Sequence, residues 1–106
     1  MYVMVDLDAE PAEVSLVDPD DCTRFHVAVH GYGHAPAVDD ALQSSGAGWL
    51  DGEGSVFVHV DRVRDLAAGR TGDTWAERFD GMLGYARDKG WLSDDGEAIR
   101  AHLEWR

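Results

Sequence analysis

The chain holds one lysine (Lys89), one isoleucine (Ile99), one cysteine (Cys22) and no asparagine. Cys22 has no partner within the chain, so no internal disulfide stabilises the fold. That usage fits a reducing compartment, and a cytoplasmic location is expected. Cations are scarce: nine Lys and Arg face 21 Asp and Glu, for a net charge of −12. Phosphate recognition needs clustered cations, and none is visible, which argues against nucleic acid and anionic membranes as partners. No apolar run approaches membrane-spanning length. The segment from Met1 to Asp8 is acidic, with neither the basic start nor the apolar run of a signal peptide.

What is present fits a single globular domain over residues 1–106. The hydrophobic fraction is 44%, enough for a core and too high for a disordered chain. The lean towards Ala, Gly, Asp, Arg and Val reflects a GC-rich composition, which itself accounts for part of the acidity.

Alternation of apolar residues predicts strands at Tyr2–Leu7 and Glu13–Val17, joined as a hairpin. Asp18-Pro19-Asp20-Asp21 marks a turn, and Thr23–His30 reads as a third strand. In that strand Phe25, Val27 and Val29 oppose His26, Ala28 and His30. After the Gly31-Tyr32-Gly33-His34 loop, Pro36 opens a short helix that Gly46 ends. Trp49-Leu50 and Ser55–Val60 flank a four-residue loop, Asp51-Gly52-Glu53-Gly54, as a second hairpin. Asp61 is placed to cap a helix stopped by Gly69. Thr74 and Glu77 have capping-box spacing before the longest helix, whose face is Trp75, Phe79, Met82, Leu83 and Ala86. Gly90 ends that helix, with Trp91 folding back on its last turn. Ala98–Trp105 alternates as a strand, although its composition also suits a helix. The expected order is β-β-β-α-β-β-α-α-β. The expected fold is α+β: a mostly antiparallel sheet of five to six short strands with two to three helices packed on one face.

Chemistry concentrates on the polar side of the strands. If the strands share a sheet, His26, His30, His59 and His102 project from its helix-free face with Phe57, Arg100 and Glu104. A histidine beside Glu104 suits acid–base chemistry, which makes His26, His59, His102 and Glu104 the candidate catalytic residues. His30, His34, Phe57 and Arg100 are the matching ligand-binding candidates, with Arg100 holding an anion. The same histidines would suit a transition metal if three converged. Yet His26 and His30 are four residues apart on a strand, roughly 13 Å, too far to share an ion. No metal-binding motif is present, and no cofactor is expected. Gly31-Tyr32-Gly33 lacks the residues of a phosphate loop and reads as a tight turn. Cys22 is read as an inert thiol. The Asp18 and Asp94 turns lack the calcium-loop pattern.

Three functions follow. The first is a small acidic binding protein without catalytic activity, acting through a basic protein partner or by self-association. In size and charge it is similar to small acidic inhibitors and immunity-type proteins, a likeness of composition with no shared motif. Trp105 is its candidate contact residue. The second is a small enzyme or small-molecule-binding protein using the histidine-bearing sheet face. The third is a metal-binding protein using the same histidines.

Overall fold

A computed structural model describes residues 1–52 and 54–106. Within them the chain runs β1 (Tyr2–Asp6), β2 (Glu13–Val17), β3 (His26–His30), α1 (Ala35–Ser44), β4 (Gly48–Leu50), β5 (Ser55–His59), α2 (Val60–Ala67), α3 (Trp75–Asp88) and β6 (Ala98–Trp105). This is the element order expected from the sequence, and residues 98–105 form a strand. Glu53, in the expected β4–β5 loop, lies outside the described residues.

The sheet order is β2-β1-β3-β6-β5-β4. The expectation of a mostly antiparallel sheet is corrected: β1–β3 and β3–β6 pair in parallel, and the other three pairings are antiparallel. The sheet is thus mixed, and it curls into a half-barrel on which the helices pack. The parallel pairs arise because the chain leaves the β1–β2 hairpin, crosses to the far side of β1 and returns in the same sense. A parallel partner is set by distant crossover segments, and these leave no local turn signal.

One face of every strand feeds the core. Val3, Val5, Leu16, Val27 and Val29 meet Val56, Val58, Ile99 and Leu103 there, all buried. From above come Val38 and Leu42 of α1, Val63 of α2, and Trp75 and Phe79 of α3. Residues on the other face are half-buried or exposed, apart from the small Ala28 and Ala98.

Element ends follow local chemistry, with some revisions. Asp21 accepts hydrogen bonds from the Thr23 amide (3.0 Å) and hydroxyl (2.5 Å), which holds 21–23 in a turn. β3 therefore begins at His26 and not at Thr23. His59, not Asp61, occupies the N-cap of α2, and Asp61 sits in its first turn. Thr74 precedes α3 in a helical conformation and makes no capping bond; its hydroxyl instead receives Arg78 Nε at 3.4 Å. Gly90 does end α3, at φ +77, and the Trp91 amide returns to the Ala86 carbonyl at 2.8 Å.

Both sheet edges have an outward backbone group engaged by a side chain. On β4 the Leu50 amide donates to Asp39 Oδ1 at 2.8 Å. On β2 the Leu16 carbonyl accepts Arg70 Nη1 at 2.8 Å. Engaged edges resist pairing with another chain. The Leu50 amide, with help from Gln43, holds the Asp39 carboxyl below its ordinary value of 3.8. Its contribution is therefore present above the unfolded pKa and lost as pH falls through the folded one. Asp39→Ala is expected to cost about 1 kcal/mol near neutral pH. In urea melts that difference should begin to shrink below pH ~4, the unfolded range of a carboxyl, and vanish only once pH has fallen past the lower folded value. An unchanged difference in acid would assign the loss to packing instead.

Candidate functional site

The helix-free face places the expected side chains by register. Tyr2 pairs with His26, His26 with His102, and His102 with Ser55. Phe57 pairs with Arg100 and with Trp49. All of these project from one side.

They do not form one site. His26 and His102 occupy adjacent strands, about 4.8 Å apart at the backbone. Glu104 Oε2 lies 3.6 Å from His26 Nε2. Tyr2 stacks on the His26 ring at 4.8 Å, and the Arg106 guanidinium covers Tyr2 at 4.7 Å and reaches Glu104 at 3.6 Å. Sequence reasoning missed Tyr2 and Arg106. The alternation of β1 places Tyr2 on the polar face, but only the parallel β1–β3 pairing sets it beside His26.

His59 belongs elsewhere. Its register partner is Ala98, four residues from His102 along β6, or roughly 13 Å. Its ring lies 5.2 Å from Trp49, which also stacks on Phe57 at 5.2 Å. Arg100 is held by Asp51 at 3.3 Å and by the Ser55 hydroxyl at 3.3 Å. A hollow of about 610 Å³ lies here, with Phe25, Trp91, Arg100 and His102 in its wall; His26, His59 and Glu104 do not line it. A catalytic set of His26, His59, His102 and Glu104 is thus split between two places. His34 stands exposed at the N-cap of α1 with no capping bond.

His30 lies at a third place. Its Nε2 is 3.6 Å from Asp8 Oδ2. Donor atoms of Asp6, Asp8 and His30 lie within 4.8 Å of one another. This trio differs from the histidine set expected for a metal, because it draws on one end of β1 and β3.

Burial pushes the His26 ring below its ordinary 6.5, and Glu104 only partly offsets that effect. The folded state therefore favours the neutral ring. Its contribution is present above the unfolded pKa and is lost as pH falls through the folded value. An NMR titration should place His26 below 6.5; a midpoint above 6.5 would show that Glu104 dominates. Burial also pushes the Cys22 thiol above its ordinary 9.0, which disfavours the reactive thiolate.

A separate hollow of about 420 Å³ lies between the β1–β2 loop and α1. Leu7, Ala12, Ala37 and Ala41 form its apolar lining, and Glu10 and Asp40 supply its charges. Tyr32 stands in its wall, 99% exposed. The sequence shows the loop but not the hollow, which depends on how α1 sits against residues 7–12.

The charges are unevenly placed along the chain. Residues 1–61 carry twelve acidic side chains and one basic one, a net −11, whereas residues 62–106 carry nine and eight, a net −1. Comparison with protein-family models, curated proteins and solved structures finds no match to this chain.

Proposed function

We propose that this protein is a non-catalytic binding module that recognises a basic protein partner by charge. The observation that carries the reading is the charge asymmetry, with −11 of the −12 on residues 1–61. A large net charge of one sign accelerates encounter with an oppositely charged partner. Two further features support it. The helix-free sheet face is uncovered, and among the described residues no polar or charged side chain is buried.

Native mass spectrometry of the untagged protein from its own host tests the reading. The expected species is a complex with a protein of high isoelectric point that dissociates as ionic strength rises. A chain that carries a metal or small molecule and no protein overturns it. So does a complex indifferent to salt.

A further inference from the structure

We infer that the hollow between the β1–β2 loop and α1 is the docking pocket for an arginine- or lysine-bearing segment of that basic partner. The inference rests on the proposed binding function and adds to it a place and a mode of contact. Its basis is complementarity in both charge and shape. An arginine or lysine side chain is an aliphatic stem with a cationic head. The pocket offers the reverse: an apolar lining for the stem, and the Glu10 and Asp40 carboxylates for the head. No lysine or arginine lines it, and none occurs anywhere in residues 25–61 or 1–23. The hollow beside Trp91, by contrast, carries Arg100 in its wall, so it suits a cation less well.

Tyr32 supplies the third element. It presents a whole ring to solvent at the pocket wall. An exposed tyrosine beside carboxylates suits a cation–π contact with a bound guanidinium or ammonium, and tyrosine is enriched among residues that dominate binding energy. Both its neighbours are tightly seated. A Cβ on Gly31, at φ +98, would lie 2.5 Å from Asp8 Oδ1, and one on Gly33 would lie 2.5 Å from Leu7 Cδ1. The Leu7 amide donates to the His30 carbonyl at 2.9 Å, which ties the two loops together. The base of Tyr32 is therefore fixed before a partner arrives, which lowers the ordering cost of binding. The volume falls within the range of roughly 300–1,000 Å³ typical of binding pockets.

The test uses a labelled peptide of alternating arginine and alanine, and the same peptide with citrulline, which keeps the shape and removes the charge. Binding is read by fluorescence anisotropy at low and raised ionic strength. Three proteins are compared with the wild type: Tyr32→Ala, the pair Glu10→Gln/Asp40→Asn, and the pair Asp88→Asn/Asp94→Asn. The two pairs change the net charge equally, but only the first lines the pocket. The Tyr32 variant and the pocket pair are each expected to weaken the arginine peptide about tenfold, and the distant pair about twofold or less. If both pairs weaken it equally, the pocket inference falls while the wider binding reading stands. If the wild type binds the arginine and citrulline peptides alike, or neither at low ionic strength, both fall together. Circular dichroism of each variant confirms that the fold is kept.

Discussion

Phe79→Ala is expected to remove a large share of the stability of this domain. Phe79 is fully buried. Its ring stacks on Trp75 at 4.7 Å and 9°, and the Arg64 guanidinium covers it at 4.9 Å. Truncating a buried phenylalanine costs about 3–5 kcal/mol, from lost transfer energy and from the cavity left behind. A domain of this size has about 5–15 kcal/mol in total. The cost falls where α3 joins the sheet, so the loss is global and not local. Arg64 also bridges Asp80 at 3.0 Å, but both ends of that pair are exposed and contribute little. Urea unfolding followed by tryptophan fluorescence measures the loss. Phe79→Leu keeps much of the volume and should lose clearly less. A loss below about 1 kcal/mol for Phe79→Ala would place the ring outside the cooperative core.

That residue was legible in the sequence, because Trp75, Phe79 and Ala86 repeat at helical spacing. Other local signals also agree with the structure. Alternation and turn signals together point to the six strands, and alternation favours a strand for Ala98–Trp105 against its helix-favouring composition. Gly46, Gly69 and Gly90 each follow a helix with positive φ, as glycine after a last turn does. The capping signals did not hold in full. Thr74 and Asp61 look like caps, but the helices begin from Thr74 already in a helical conformation and from His59. The parallel pairings failed for another reason. β1 meets β3 across the intervening strand β2, and β3 meets β6 across three helices and two strands. No residue in those segments encodes the neighbour by itself.

The candidate site shows the same division. That the histidines project from the helix-free face follows from alternation. Which of them meet follows from register, which the sequence leaves open. Parallel pairing joins His26 to His102 and Glu104, and antiparallel pairing carries His59 to the far end of β6. Trp105 illustrates the limit of reading one residue. It shares the core-side parity of Leu103, yet it stands 45% exposed where the strand runs out beside Val29. The pocket at Tyr32 was the hardest to foresee, because a loop, a turn and a helix each contribute to it. The charge asymmetry is legible in the sequence, with −11 of the −12 on residues 1–61.

Gly48→Ala is the second change expected to act strongly, and it reaches the open face through its neighbour Trp49. Gly48 pairs with Val58 across β4 and β5. A Cβ there would lie 1.9 Å from the Phe57 carbonyl oxygen and 2.9 Å from its carbon. Both are backbone atoms, so no rotamer change relieves the clash; β4 must separate from β5. Separation would also break the His59 amide to Ala47 carbonyl bond, 2.8 Å long, and pull Trp49 off Phe57. The cost should exceed the roughly 1–3 kcal/mol of ordinary overpacking. Gly84→Ala provides the contrast. Gly84 lies within α3 with nothing within 4 Å of its added Cβ, so that change should stabilise by about 0.5–1 kcal/mol. Urea melts of the two variants should therefore move in opposite directions from the wild type. Hydrogen exchange should show fast amides on β4 and β5 in Gly48→Ala while β1 and β3 stay protected. A Gly48→Ala protein as stable as the wild type would refute the close β4–β5 approach, and with it the placement of Trp49 and His59 on the open face.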